Sequence, residues 1–214
     1  MANFPEEDAM SIFNLRSIGS EPKGATPITD EDLEDLIPDF VATRADLNQV
    51  EFENIVKALP WARNHAKRLG PEGILDFSFI VALHQRMFGD VWKWAGTLRR
   101  RLTNIGIEPQ LITTQSRLLI DDAKFWHAKC VYEPDELAAR IHCRLVSIHP
   151  FTNGNGRVTR MVADLYLVSI DIQPFTWGST SLDVDGSTRE QYIAALVRAV
   201  GTEDYEDLIH FARS

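Results

Sequence analysis

The chain of 214 residues has no continuous apolar stretch of membrane-spanning length, and its start lacks the basic-then-apolar pattern of a secretory leader. Those absences imply a soluble, cytoplasmic protein. Positive charge is scarce: 22 Lys and Arg stand against 31 Asp and Glu, a net charge of −9. That balance argues against the broad basic face needed for non-specific nucleic-acid binding, although Arg99 to Arg101 could form a local patch. Neither nucleic acid nor membrane is expected as a partner. The two cysteines, Cys130 and Cys143, have no metal or redox spacing; both fall in expected helices, where a small buried thiol is the simpler role. His84, His127 and His142 form no recognisable zinc set and read as structural or surface residues. Internal repeats and low-complexity tracts are also missing.

What is present is enough apolar composition, 44%, to bury a sizeable core in one domain. Helical patterns dominate, giving a mainly α fold. Thr43 to Leu59 carries Leu47, Val50, Ile55 and Leu59 among polar residues, as expected of a helix packed on the domain. A buried amphipathic helix is predicted over Asp135 to Ile148, with Pro134 and Asp135 as start signals. Another runs from Arg157 to Ile170. A Ser-x-x-Glu capping box opens a further helix over Ser187 to Val200, and Thr202 to Ala212 reads as a short final helix. Residues 1–24 mix Pro, Ser and Glu without apolar spacing and are expected to form an arm, leaving 25–214 as the helical domain.

The most informative stretch is His149-Pro-Phe-Thr-Asn-Gly-Asn-Gly-Arg-Val-Thr-Arg160. Pro150 disfavours helix at the residue before it, so His149 falls at a helix end, at the mouth of a turn. Its imidazole titrates near neutral pH and can accept a hydroxyl proton. Phe151 reads as an anchor of the turn in the core. Gly154, Asn155 and Gly156 then form the N-terminal turn of the next helix, where free N–H groups and the helix dipole favour an anion. Arg157 and Arg160, three apart, share a helix side and offer planar charged forks to phosphate oxygens. An Asn155 side-chain amide can add to them. By residue type alone, such a Gly-x-Gly-Arg turn is equally compatible with a structural connection; the histidine before it and the second arginine after it favour chemistry.

This stretch resembles the signature of the Fic family (Fic/Doc, or Fido, superfamily), His-x-Phe-x-(Asp/Glu)-Gly-Asn-Gly-Arg-x-x-Arg, at every fixed position but one. The resemblance implies a Fic-type helical bundle with a small β-hairpin flap, and transfer of AMP from ATP to a hydroxyl side chain of a target protein. His149 is then the general base, Gly154, Asn155 and Gly156 the anion hole, and Arg157 and Arg160 the phosphate clamps. The exception is Asn153, where the family has an acidic residue that helps hold Mg²⁺; a neutral amide implies a weakened metal site and slow or selective catalysis. Gly156 argues against the kinase-like Doc branch, which has lysine there. A nucleotide-binding but catalytically weak module of a toxin-antitoxin-like pair is the alternative.

Three further segments resemble parts of Fic proteins. Phe88 to Ile107, with Trp94-Ala95-Gly96 leading into Arg99, Arg100, Arg101, Leu102 and Thr103, is similar to the hairpin flap on which an extended target can pair. Glu53-Asn54 resembles the end of the inhibitory helix motif, (Ser/Thr)-x-x-x-Glu-(Gly/Asn), with Gln49 at its first position; the resemblance implies that Glu53 pairs with Arg160. Ala25-Thr26-Pro27 through Ile37-Pro38, with Thr43-Arg44, is similar to the bacterial mobile mystery protein B subgroup, which implies a helix-turn-helix protein as partner.

Overall fold

The structure, a computed structural model, describes residues 33–178 and 186–214. The arm expected over 1–24 lies outside the described residues. Seven α-helices make up the described chain: α1 (Arg44–Ile74), α2 (Phe77–Phe88), α3 (Ile112–Ala128), α4 (Pro134–Ile148), α5 (Asn155–Ser169), α6 (Gly186–Thr202) and α7 (Glu206–Arg213). The protein is mainly α, as its patterning predicts.

Helix α1 starts where Thr43 Oγ1 accepts from Asp46 N–H while the Asp46 carboxylate accepts from Thr43 N–H, a reciprocal cap. It runs beyond the expected end at Leu59 because the apolar face continues through Ala62 and Ala66, both fully buried. Gly70, at φ 62°, breaks the spiral before a last turn from Pro71. Asp76 then caps α2 by accepting from Ser78 N–H, and α2 buries Leu83, Met87 and Phe88 on one side.

Helix α5 is the centre of the molecule. It packs against α1 and α4 along its length and meets α2 near its start. Val158, Met161, Val162, Ala163, Leu165 and Leu167 are all buried, and a helix apolar on nearly every side is stable only inside a core. Each fully buried aliphatic side chain contributes about 1.5–3 kcal/mol by leaving water. The accessible residues of this central helix lie in its first two turns, at Gly156, Arg157 and Arg160, and at its last two positions, Val168 and Ser169.

The β-hairpin is a correction: among the described residues there is no sheet, only isolated antiparallel bridges between Leu36 and Trp92 and between Leu98 and Phe151. The reason lies in Arg99. Its guanidinium turns inward and donates to the Arg101 and Ile107 carbonyls, so the backbone oxygens that a hairpin ladder would pair are bonded to a side chain instead. A second correction concerns Cys130, which is exposed just after α3 at φ 49° rather than buried in a helix. Cys143 is buried in α4, and burial pushes its thiol up to about 12.

Candidate active site

His149 ends α4 in the left-handed conformation, φ 55° and ψ 63°, and its backbone N–H returns to the Leu145 carbonyl. A residue with a Cβ pays roughly 1–2 kcal/mol to sit there. Arg99 offsets that strain: its Nε donates to the His149 carbonyl at 2.6 Å and one terminal nitrogen to Ile148 O at 3.3 Å, while its own backbone N–H reaches Pro150 O. Arg99 is 3% exposed. The expected role of Arg99 at a target-binding surface is thus replaced by that of a clamp on the backbone around His149. Of its flap companions, Arg100, Arg101 and Leu102 are exposed, whereas Thr103 is half-buried and donates to Ile105 O. Gly106, at φ 120°, lies close to Arg99 and His149; a Cβ there would come within 2.7 Å of the His149 Cβ.

The His149 imidazole is 6% exposed. Burial, followed by the nearby Arg99 charge, lowers its pKa to about 4. Nδ1 faces the Val146 carbonyl at 3.3 Å; a carbonyl only accepts, so Nδ1 carries the proton and the lone pair lies on Nε2. At neutral pH the ring is therefore an uncharged base of defined tautomer.

After His149 the chain turns through Phe151, whose ring is fully buried and stacks on His84 with centroids 3.8 Å apart. Asn155 clamps this turn from within: its Oδ1 accepts from Phe151 N–H at 2.9 Å and its Nδ2 donates to Phe151 O at 2.8 Å. The expected contribution of the Asn155 amide side chain to an anion is corrected; only its backbone N–H points from the helix start. Gly154 caps α5 at φ 76°, without any side-chain cap to fill the first turn. The N–H groups of that turn thus face outward at the positive end of the dipole. The two glycines differ. A Cβ on Gly154 would strike the Phe88 ring at 2.6 Å, whereas one on Gly156 would meet only Arg160 Nη1, at 3.7 Å. Gly154 is required by the fold, while Gly156 leaves open room beside the amides.

Asn153 Oδ1 accepts from Gly154 N–H at 2.6 Å. The oxygen at the position expected to help hold a metal is uncharged and already engaged. Among the described residues no group of three or more His, Cys, Asp or Glu could hold a metal ion.

The two arginines are held in different ways. Arg157 Nη1 donates to Glu51 Oε2 at 2.7 Å, with its guanidinium 4.7 Å from the Phe88 ring centroid. Glu51 is 2% exposed, and its other oxygen accepts from Trp92 Nε1 at 2.7 Å. The Arg160 guanidinium lies 5.5 Å from the Tyr192 ring centroid, and the Tyr192 hydroxyl meets His142 Nε2 at 2.9 Å. Glu53, expected on Arg160, is exposed and accepts from Gln49. The acidic residue of α1 that reaches a motif arginine is Glu51, and the arginine is Arg157. Its signal was present in the sequence: Glu51 stands four residues from both Leu47 and Ile55, on the buried face of the helix, and Glu53 stands off it.

The profile of the Fic/DOC family matches residues 74–167, from α2 to all but the last two residues of α5. Residues 74–167 are a Fic/DOC family domain. This Fic domain is similar to the probable protein adenylyltransferase y4lH of Sinorhizobium fredii, 31% identical over 102 residues, covering 44% of this chain and 53% of that protein. It is also similar to the protein adenylyltransferase fic-1 of Caenorhabditis elegans, 30% identical over 125 residues, covering 55% of this chain and 22% of that one. The chain thus spans about a fifth to a half of the length of these relatives. Among solved structures, a Fic domain containing signaling protein from Bacteroides thetaiotaomicron superposes with a TM-score of 0.62 at 20% identity, over 77% of this chain and 66% of that one. BepC from Bartonella tribocorum superposes with a TM-score of 0.59 at 17% identity, over 81% and 87%. At such identities the likeness shows a shared Fic fold.

Proposed function

We propose that the chain is a Fic-type protein adenylyltransferase, moving AMP from ATP to a Ser, Thr or Tyr hydroxyl of a target protein. The observation that carries this reading is the pairing of a neutral imidazole, its proton fixed on Nδ1, with an uncapped helix start flanked by two arginines. The triphosphate lies against the backbone N–H groups of Asn155 and Gly156 and near Arg157 and Arg160. His149 Nε2 takes the proton of the target hydroxyl as its oxygen bonds to the α-phosphorus. The bond from that phosphorus to the bridging oxygen breaks, and pyrophosphate leaves with the electron pair. Most of the acceleration comes from positioning and from donors fixed in advance. The exposed residues Arg100, Arg101 and Leu102, with Thr103, form the surface on which a target segment docks through their side chains.

Mg²⁺ enters as the counter-ion of the nucleotide. The residues at the expected metal position do not fit a protein-held ion, because Asn153 Oδ1 is neutral and bonded to Gly154. That same bond favours a second reading, a nucleotide-binding module with weak catalysis that works as one half of a toxin-antitoxin-like pair with a helix-turn-helix partner.

Incubation with α-labelled ATP and cell lysate tests the first reading against the second. Labelled protein that disappears with His149→Ala supports transfer. ATP binding without label, in both the unaltered protein and the variant, supports the module.

A further inference from the structure

His84, on α2, is fully buried and uses both ring nitrogens to join two segments far apart in sequence. Gly96 N–H donates to its Nδ1 at 2.9 Å, and its Nε2 lies 3.0 Å from the Asn153 carbonyl. An N–H donor on one side and a carbonyl acceptor on the other fix the tautomer: the proton is on Nε2. Burial, the largest influence, holds the ring neutral with a pKa near 3, in agreement with that assignment.

The Asn153 carbonyl and the Gly154 N–H belong to one planar peptide and point in opposite directions. With the carbonyl drawn toward His84, the N–H is turned away from the core, where Asn153 Oδ1 receives it. Gly154 then takes its left-handed conformation directly over the aromatic floor: a Cβ on it would lie 2.6 Å from Phe88 and 3.4 Å from His84 Nε2. His84 itself is wedged between Phe151 and Phe88, with ring centroids 3.8 and 4.9 Å away. The next amides, those of Asn155 and Gly156, start α5.

We propose that His84 is a positioning residue of the phosphate site: its Nε2–H holds the Asn153–Gly154 peptide in the orientation that presents the first-turn amides of α5, while its Nδ1 ties the Trp-Ala-Gly turn to the same point. The proposal rests on the reading of that turn as a phosphate site. No motif in the sequence singles this residue out, because its partners are backbone groups.

The test uses the different reach of two amide side chains. Glutamine places an N–H donor near the position of Nε2, so His84→Gln keeps the tie to Asn153 and loses that to Gly96. Asparagine places an oxygen near Nδ1, so His84→Asn keeps Gly96 and loses Asn153. Both variants forfeit ring stacking and one hydrogen bond, and their melting temperatures are expected to fall by similar amounts. Backbone amide hydrogen exchange in the full chain should then show a crossed pattern, faster at Gly154 and Asn155 in His84→Asn and faster at Gly96 in His84→Gln. ATP titration by calorimetry should give a Kd weakened about tenfold in His84→Asn, the loss of roughly one hydrogen bond's ordering, with His84→Gln within about twofold of the unaltered protein. Equal exchange at Gly154 in both variants, or equal weakening of ATP binding, overturns the proposal. If the unaltered protein binds no ATP, the phosphate reading fails, and the exchange pattern still decides whether His84 orders the turn.

Discussion

At the scale of single residues, charge and proton placement decide what the turn can do. The lowered pKa of His149 makes the imidazole a weaker base than a free one, yet keeps it unprotonated above about pH 4. With the folded value near 4, the acid limb of kcat/KM for transfer is expected about two pH units below that of an ordinary histidine. A limb at pH 6 to 7 would show that another group supplies the base. Glu51 and Glu53 provide a second comparison. Glu51→Ala leaves Arg157 and Trp92 Nε1 without their shared acceptor, and breaking a buried pair of this kind costs about 3–5 kcal/mol. Glu53→Ala removes only an exposed bond from Gln49 and is expected to stay within about 0.5 kcal/mol. Urea denaturation of both variants checks the difference.

At the scale of elements, the approach of two helix ends makes the site: α4 stops at His149 and α5 starts after Gly154. The glycines at that junction separate folding from binding. Gly154→Ala meets both a positive φ and the Phe88 ring, so a loss of about 2 kcal/mol or more is expected. Gly156→Ala should leave stability within about 1 kcal/mol and weaken ATP binding, because the methyl enters the space above the amides; a stable variant with unchanged Kd would place the anion elsewhere. Helix patterning made α4 and α5 legible within two residues of their observed ends, and the signature stretch pointed to His149, Gly154 and both arginines. The flap was not legible, and the partner of Arg157 was legible only through the helix face on which Glu51 stands. A hairpin and an irregular loop share the same residue types, and what decides between them is whether Arg99 points out or inward to carbonyls up to 50 positions away. Likewise Glu51 and Glu53 differ only in helix face: the resemblance to an inhibitory motif pointed to Glu53, and the structure pairs Glu51 with Arg157.

At the scale of the whole molecule, buried titratable groups set the response to acid. Burial keeps His84 and His142 neutral with pKa values near 3 and His149 near 4. Between pH 6.5 and about 4 the unfolded chain binds protons on these three rings that the folded chain refuses, so stability falls as pH drops through this window. Asp164 acts in the opposite sense: burial raises it to about 7 although Trp177 Nε1 and Phe175 N–H donate to it, so over the same range the folded form holds one proton that the unfolded form releases. Three rings against one carboxyl leave about two protons in favour of unfolding, or about 3 kcal/mol lost per pH unit at most. Chemical denaturation at pH 7 and pH 5.5 should show this decline, and equal midpoints would mean that these histidines take up protons without unfolding.

The pairing of Arg157 with Glu51 spans 106 positions of sequence, and Glu51 lies upstream of residue 74, where the family match begins. A fragment trimmed to the matched segment would retain the whole hallmark string and yet leave an arginine stripped of its counter-charge beside Phe88. Such an excised piece is expected to aggregate or collapse, so grafting or minimising this domain requires the long leading helix as an integral strut.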